Sequence, residues 1–342
     1  MIKTVGIVSL SNGILGEPQV KHELEIGMRR LEEYGLAVKF LPHALAGIDF
    51  VKAHPEKRAA DLLQAFQDPE IDLILCSTGG DDTYRLLPFL FDHDELKQAV
   101  TEKVFLGFSD TTINHLMLYK VGLNTFYGQA FLSDICELGR EMLPYTGKYF
   151  EELISTGTIR QITPSGVWYE SRTDYGTNQI GTTPVSHVDR GFELLQGSPV
   201  FTGKILGGCI DTLFDIFDGG RYADMPVSCR KYHLFPETEE WRGKILLLES
   251  SEEKMSPEKY RRALISLKET GIFEVISGIL VGKPMDETYD REYRQLLTET
   301  VGRPDLPILC NINIGHALPR CIIPLGVETV VDAGRQTITF GE

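Results

Sequence analysis

Residues 103–122, KVFLGFSDTTINHLMLYKVG, combine a short apolar run, the tetrapeptide Gly-Phe-Ser-Asp and a stretch with helical apolar spacing that stops at Gly122. This order predicts a buried strand, a sharp turn and a helix. Residues 4–10 (TVGIVSL) and 71–77 (IDLILCS) are similar apolar runs that alternate with helical stretches. Such alternation is typical of a mostly parallel sheet covered by helices on both faces, in which ligands bind beyond the carboxyl ends of the strands.

A second α/β unit is predicted from about residue 193. Its strand candidates are VFTGKILGG, GKILLLES, VISGILVGK and LPILCNINIGH, and the tail GVETVVDAGRQTITF indicates a closing hairpin. Residues 158–190 are polar, show no clear period and are interpreted as a long connection whose loops could cover a site. We therefore predict a two-domain α/β fold. Its parts are an N-terminal domain with a mostly parallel, doubly wound sheet (1–145), a connecting helix and loop (146–192) and a smaller domain with mixed strands (193–342).

The composition of the 342 residues favours an ordinary globular protein. The net charge is −15 and no stripe of Lys and Arg is present, which argues against a nucleic-acid partner. The N-terminus does not have the pattern of a signal peptide, and no apolar segment approaches the roughly 18 residues of a membrane helix. None of the six cysteines forms a CxxC pair. We expect reduced, buried thiols in a cytoplasmic protein with no zinc site and no membrane partner.

The stretch STGGDDT, residues 77–83, follows an apolar run and predicts backbone amides that face an anion. One interpretation is a diphosphate, because GGDDT also occurs in phosphofructokinase-type enzymes that use pyrophosphate. The remaining phosphate-binding segments of those enzymes are not found here, and no G-x-x-x-x-G-K-[ST] loop is present. The other interpretation is the oxyanion of a reacting carbonyl, which would make the protein a hydrolase.

Ser109 lies at the predicted turn from strand to helix, which is the geometry of a nucleophile elbow. At such a turn the next residue, Asp110, can offer its backbone N–H to a developing oxyanion. The same pattern also fits simple helix capping by Ser109 or Asp110. The segment alone therefore leaves both interpretations open.

A nucleophilic serine needs a base, and the base needs an orienting acceptor. His115 is predicted on the helix after the turn and would point along it, whereas His316 follows a strand in NINIGHALPR. Glu249 ends the strongly apolar run KILLLE, where a buried carboxylate would need a partner. A surface histidine and a glutamate that turns to solvent are the alternatives. All three candidates follow strand-like runs, where open α/β sheets place their sites.

These segments together resemble the LD-carboxypeptidase family of serine peptidases, and within it the microcin C self-immunity peptidases. The family pattern is an early Gly-Gly, then Gly-x-Ser-Asp, then Glu after an apolar strand, then Gly-His followed by Pro. This chain shows Gly79–Gly80, GFSD (107–110), LLLES (246–250) and GHALP (315–319) in that order. The likeness spans nearly the whole chain.

The resemblance implies a two-domain α/β fold and a role for each matching residue. Ser109 would be the nucleophile, His316 the general base and then acid, and Glu249 the residue that orients His316. The backbone N–H groups of Gly80 and Asp110 would form the oxyanion hole. No metal or other cofactor is expected, and the resemblance implies a homodimer.

Three further positions concern the substrate. Cys209, in LGGCIDTL, stands where the immunity peptidases usually have an asparagine, and a thiol is a much poorer hydrogen-bond partner than an amide. Trp168, in VWYESRTDYG, could stack on a nucleobase or simply pack locally. Lys283, in VGKP, could meet a substrate carboxylate or phosphate or remain solvated.

We therefore predict a cytoplasmic serine hydrolase that cleaves an amide bond through an acyl-enzyme. One candidate substrate is a small peptide or a peptidyl- or aminoacyl-nucleotide conjugate of the microcin C type. The other is a murein tetrapeptide that loses its terminal D-alanine. The alternative from another class is a catalytically silent α/β ligand-binding protein.

Overall fold

Sixteen strands form two large β-sheets and a separate hairpin in the computed structural model, which describes residues 1–341. The strands are β1 (Thr4–Val8), β2 (Ala37–Phe40), β3 (Leu73–Cys76), β4 (Val104–Gly107), β5 (Phe126–Tyr127), β6 (Gln161–Ile162), β7 (Val167–Tyr169), β8 (Ser186–Val188), β9 (Glu193–Gln196), β10 (Val200–Cys209), β11 (Ile245–Glu249), β12 (Gly278–Gly282), β13 (Ile308–Ile312), β14 (Ile323–Pro324), β15 (Glu328–Asp332) and β16 (Thr337–Phe340).

The first sheet has the strand order β14-β5-β4-β3-β1-β2. Its strands pair in parallel except β14, which runs antiparallel to β5 at the edge. Because β3 and β4 are neighbours, the segments that follow them leave the sheet side by side at its carboxyl edge. Those segments contain Gly79–Gly80 and Ser109.

The second sheet has the order β6-β16-β15-β10-β11-β12-β13-β9. Its centre, β10 to β13, is parallel, and the flanking strands pair antiparallel. The segments that hold Glu249 and His316 therefore leave one carboxyl edge. The closing hairpin predicted from the tail is present as β15 and β16.

Eleven α-helices surround the sheets in the described part of the chain. They are α1 (Lys21–Glu33), α2 (Ile48–Ala53), α3 (Pro55–Gln67), α4 (Leu87–Phe91), α5 (Glu95–Ala99), α6 (Thr111–Lys120), α7 (Pro144–Thr156), α8 (Ile210–Asp215), α9 (Met225–Lys231), α10 (Pro257–Glu269) and α11 (Asp290–Val301). Most of the longer helices bury one apolar stripe, but α6 is buried from Thr111 to Leu118 because α8 and β10 pack against it as well. The helix that follows Ser109 is therefore held on every side.

The predicted α/β class, with one mostly parallel sheet and one mixed sheet, is confirmed. The domain boundaries at residues 145 and 192 stay predictions. Two short strands belong to a different sheet from the one that these boundaries would give them. β6 lies within 146–192 but joins the second sheet, and β14 lies far along the chain but joins the first. The interpretation of 158–190 as a long connection stays a prediction, and the structure adds that β7 and β8 pair there as a hairpin. Each strand has only three residues, half-buried in β7 and exposed in β8, so no apolar alternation identifies them in the sequence.

Two expectations from the composition concern the cysteines and membrane-spanning helices. All six cysteines are free and buried, as predicted for reduced thiols. None of the helices within residues 1–341 combines the length and the apolar character needed to cross a lipid bilayer.

Candidate active site

Three side chains from strand ends meet between the two sheets. His316 Nδ1 lies 2.7 Å from Glu249 Oε2, and His316 Nε2 lies 3.1 Å from Ser109 Oγ. Glu249 Oε2 also accepts the backbone N–H of His316 at 3.2 Å, which fixes the imidazole against the carboxylate. Glu249 is 1% exposed and Ser109 is 9% exposed, so the hydroxyl is the more accessible end. The structure thus brings the predicted hydroxyl, imidazole and carboxylate into one hydrogen-bonded chain.

The backbone at Ser109 has the sharp turn of a nucleophile elbow. Its φ of +65° lies in the left-handed region that non-glycine residues rarely adopt. Glycine is needed beside it, because a Cβ at Gly79 would stand 2.6 Å from Ser109 Cβ and 2.8 Å from its Oγ. Asp110 occupies the N-cap position of α6, but its side chain makes no capping hydrogen bond. The capping interpretation therefore holds for the position of Asp110 and not for a side-chain hydrogen bond.

Tyr127 connects the two halves of the site and was not identified from the sequence. Because β5 pairs with β4, the Tyr127 hydroxyl reaches the elbow and accepts the Ser109 backbone N–H at 3.2 Å. The same hydroxyl donates to Glu249 Oε1 at 2.6 Å. Burial and the neighbouring Glu249 raise the pKa of Tyr127 well above its ordinary value, so the hydroxyl keeps its proton. Both oxygens of Glu249 are therefore occupied by donors.

Two carboxylates flank His316. Besides Glu249 on Nδ1, Glu252 Oε2 lies 2.9 Å from Nε2, on the side that faces Ser109. Burial alone would lower the pKa of His316, but Glu249 and Glu252 outweigh it and raise that pKa to about 10. The hydrogen bond to His316 in turn lowers the pKa of Glu252 to about 2. Both carboxylates therefore favour the protonated form of the imidazole.

Gly80 and Asp110, whose backbone N–H groups are the predicted oxyanion-hole donors, line one cavity with Ser109. Within residues 1–341 neither N–H has a hydrogen-bond acceptor. Gly80 has a φ of +152°, and a Cβ there would stand 2.2 Å from Ser11 Oγ. The Asp110 carboxylate points away from the helix and accepts hydrogen bonds from Ser11 Oγ at 2.6 Å and from the Thr83 N–H at 2.9 Å. Burial raises the pKa of Asp110 to about 6.

A cavity of about 600 Å³ opens from the triad. Phe108, Tyr175 and Arg320 line it, together with Glu252 and residues of the loop after β7. Arg320 lies over the Phe108 ring at 4.5 Å and donates to the His316 carbonyl at 3.1 Å. The cavity is large enough for a nucleotide-sized or peptide-sized molecule.

The loop at 171–182 covers one side of this cavity. Arg172 pairs with Glu137 at 2.5 Å, and the Ser171 N–H donates to Asp286 at 2.8 Å. His22 Nε2 lies 2.8 Å from the Tyr175 carbonyl. Elements of both halves of the chain therefore hold this loop in place.

The three predicted substrate residues lie apart from this cavity. Trp168 stacks on His187 with ring centroids 4.4 Å apart. Lys283 is buried, with Nζ 2.8 Å from Glu287 and 5.3 Å from the Trp168 ring. Cys209 is buried beside Ser109 and lines a second, smaller cavity. Only Cys209 therefore comes near the triad, and a substrate role for Trp168 or Lys283 stays a prediction.

Cys209, Glu249 and His316 also place possible metal-ligand atoms within 4.8 Å of one another. Both Glu249 oxygens already accept hydrogen bonds, from Tyr127 and from His316. Burial raises the pKa of the Cys209 thiol well above its ordinary value, so the thiol keeps its proton. Glu249 and His316 thus form a hydrogen-bonded pair, and a protonated thiol beside them does not fit a metal ligand.

Comparison with known proteins shows the family of the chain. The LD-carboxypeptidase N-terminal domain matches residues 5–128, and the LD-carboxypeptidase C-terminal domain matches residues 202–331. The solved structure of an MccF-like protein from Streptococcus pneumoniae, in complex with AMP, is 58% identical. Its TM-score is 0.99, and the match covers 100% of this chain and 99% of that one.

Two curated relatives carry different names. The microcin C7 self-immunity protein MccF of Escherichia coli is 28% identical, over 84% of this chain and 78% of that protein. The murein tetrapeptide carboxypeptidase of Pseudomonas aeruginosa is 23% identical, over 91% of this chain and 89% of that protein. Both family domains and these relatives span most of the chain, so the protein belongs to the LD-carboxypeptidase family and is a serine peptidase.

Proposed function

We propose that this protein cleaves an amide bond in an aminoacyl- or peptidyl-nucleotide conjugate through an acyl-enzyme formed on Ser109. The observation that carries the proposal is the chain of hydrogen bonds from Glu249 through His316 to the Ser109 hydroxyl, at the head of a 600 Å³ cavity. The order and spacing of these groups are those of a serine, histidine and acid triad.

In the proposed reaction, substrate binding displaces Glu252 from His316, and the imidazolium releases its Nε2 proton to bulk water. The neutral Nε2 can then accept a proton. The Ser109 oxygen attacks the substrate carbonyl carbon while its proton moves to His316 Nε2. The N–H groups of Gly80 and Asp110 stabilise the oxyanion, and each such donor is typically worth roughly 3–4 kcal/mol. His316 then gives the proton to the leaving nitrogen, the amide bond breaks, and water releases the acyl group by the same steps.

Two features support a nucleotide conjugate as the substrate. The cavity presents aromatic rings at Phe108 and Tyr175, on which a base can stack, and the guanidinium of Arg320. The MccF-like relative, which is 58% identical, was solved with AMP. The second candidate is a murein tetrapeptide, and likeness to the Pseudomonas aeruginosa carboxypeptidase supports it.

The test is mass-spectrometric detection of hydrolysis in EDTA, with an aminoacyl-sulfamoyl adenosine and a murein tetrapeptide as substrates. Ser109→Ala removes the proposed nucleophile, and Ser228→Ala, in α9 and away from the cavity, is the matched control. We expect the nucleotide conjugate to be cleaved, with a loss of at least about 10³-fold in Ser109→Ala and none in the control. Cleavage of the tetrapeptide alone would select the second candidate. Binding without cleavage in the unaltered protein would identify a silent ligand-binding protein.

The cytoplasmic location and the homodimer stay predictions. Sedimentation velocity of the full chain would measure the oligomeric state.

A further inference from the structure

A second cavity, of about 30 Å³, lies on the other side of Ser109. It shares Gly80, Ser109 and Glu252 with the large cavity, so the two meet at the position of the reacting carbonyl. Its volume suits one or two groups the size of a water molecule. Since the large cavity suits a nucleotide or a peptide, the small one is placed to hold a compact group near the bond that breaks.

Six carboxylates line this small cavity and one guanidinium faces them. The carboxylates belong to Asp81, Asp110, Asp211, Asp215, Glu252 and Glu253, and the guanidinium belongs to Arg221. Arg221 contacts Asp215 at 3.1 Å, Glu253 at 2.5 Å and Asp81 at 3.6 Å, so its charge is already shared among three anions. Two other cations reach single carboxylates, Lys259 at Glu253 (3.8 Å) and His316 at Glu252 (2.9 Å). The cavity therefore carries an excess of negative charge.

Asp211 is the group that points to a ligand. Its side chain is 4% exposed, and Oδ2 accepts the Ser251 N–H at 2.9 Å and faces the Cys209 thiol at 3.8 Å. Oδ1 is buried and has no hydrogen-bond partner in the part of the chain that the structure describes. A buried carboxylate oxygen without a donor is costly, and a cationic donor in the cavity would remove that cost. Burial raises the pKa of both Asp211 and Asp215, which agrees with a shortage of positive charge.

We propose that the small cavity binds a primary ammonium group on the acyl part of the substrate and makes the enzyme prefer acyl residues that carry one. The proposal rests on the proposed function and specifies its substrate class. The ammonium can be the α-amino group of an aminoacyl conjugate or the amino group of a side chain such as that of lysine. An acyl residue with a carboxylate side chain would enter the negative cavity at a disadvantage.

The experiment measures kcat/KM for lysyl, Nα-acetyl-lysyl, norleucyl and aspartyl conjugates of sulfamoyl adenosine. If the side-chain ammonium binds, the lysyl and Nα-acetyl-lysyl conjugates exceed the norleucyl one by at least about 10-fold. If the α-ammonium binds, acetylation causes that loss instead, and lysyl and norleucyl are equal. In both cases aspartyl is the poorest free-amine substrate. The proposal would be overturned if neither acetylation nor side-chain charge changed kcat/KM. It would also be overturned if the aspartyl conjugate were preferred.

Asp211→Asn is the variant that tests the cavity itself, because the amide keeps an acceptor for the Ser251 N–H and loses the charge. In this variant, the ratio of kcat/KM for the conjugate with the bound ammonium to kcat/KM for the conjugate without it should fall by about 10-fold. Asp218→Asn, whose carboxylate pairs with Arg262 outside the cavity, should keep the discrimination of the unaltered protein. Unchanged discrimination in Asp211→Asn would count against the proposal.

Failure of the proposed function can be told apart from failure of this inference by calorimetry on Ser109→Ala, which keeps all six carboxylates of the small cavity. Lysine amide, its Nα-acetyl form and acetyl-norleucine amide are titrated in turn. Binding of lysine amide at least about 10-fold tighter than acetyl-norleucine amide would support the subsite even if no conjugate is cleaved, and the affinity of the Nα-acetyl form then shows which amino group binds. Equal affinity for all three would refute it whatever the enzyme hydrolyses.

Discussion

The carboxyl edges of the two sheets contribute to the candidate active site in different ways. The first sheet supplies backbone geometry: the turn at Ser109, two N–H groups with no acceptor in the described part of the chain, and glycines where no side chain fits. The second supplies charged side chains, Glu249 and His316, with Glu252 just beyond β11. Substitutions at the first edge should therefore reduce activity by steric overlap. Substitutions at the second edge should reduce it by changing the charge and protonation of His316.

Glu249→Gln is expected to have the largest effect of the changes that probe this comparison. An amide at this position no longer stabilises the imidazolium and can favour the wrong tautomer of His316. We expect kcat/KM to fall by about 10³–10⁴-fold with the fold retained. The measurement is hydrolysis of the preferred conjugate, with circular dichroism for the fold. Glu258→Gln, in the first turn of α10, is the matched control. A loss smaller than 10-fold would show that the second edge does not act through this charge.

Gly79→Ala tests the steric role of the first edge, because it adds one methyl group and no charge. The new Cβ would overlap Ser109 Cβ and Oγ, so the elbow must shift. A displacement of this kind can cost about 10²-fold in kcat, and overpacking costs about 1–3 kcal/mol of stability. Steady-state kinetics and urea unfolding measure the two effects. Gly166→Ala, where a Cβ meets no atom within 4 Å, should change neither. Normal kinetics in Gly79→Ala would contradict the steric role of the first edge.

Tyr127→Phe removes a hydroxyl that contacts both edges. Glu249 Oε1 loses its donor and the Ser109 N–H loses its acceptor, which leaves buried polar groups unpaired at a cost of about 1–3 kcal/mol in the free energy of unfolding. We expect kcat to fall by about 10-fold while KM is kept, because the hydroxyl positions the triad and does not touch substrate. Tyr232→Phe, whose hydroxyl bonds Asp92 at the surface, is the control. If stability fell and kcat did not change, Tyr127 would contribute to the fold and not to the positioning of the triad.

Glu252→Gln should have the smallest effect and appear mainly as a pH shift. Removing one anion lowers the pKa of His316 from about 10, so the rising limb of kcat/KM against pH should move to lower pH. Because the folded-state pKa of His316 lies above its ordinary value, the stability it contributes is complete below about pH 6.5 and is lost as the pH rises towards 10. The fall in Tm between pH 7 and 10 should therefore be smaller in the variant. Glu269→Gln is the control, and an unshifted profile would contradict the role of Glu252.

The parts of the site that lie at strand ends could be predicted from the sequence. Ser109, Glu249 and His316 each follow an apolar run, and the logic of parallel sheets places such positions together. Tyr127 could not be found this way, because in LNTFYGQ it looks like an ordinary strand residue and its role depends on the pairing of β5 with β4. Glu252 lies in the acidic run SSEE, which is typical of a solvated loop.

The fold shows the same division. Strands with long apolar runs, such as β3 and β11, can be predicted from the sequence, because burial on both faces requires continuous apolar residues. The hairpin of β7 and β8 and the two-residue strand β14 depend on distant partners and leave no local period. Cys209 was singled out as a departure from the family pattern, but the acidic cavity around it depends on segments from both sheets.

The pairing of β14 with β5 also has a consequence for biosynthesis. β5 forms the outer side of the sheet that carries the elbow until Ile323 and Pro324 join it. Those two residues are synthesised after His316. The nucleophile's sheet is therefore completed only when the whole catalytic set has been synthesised, and a nascent chain that has just added the base still lacks the final edge of that sheet.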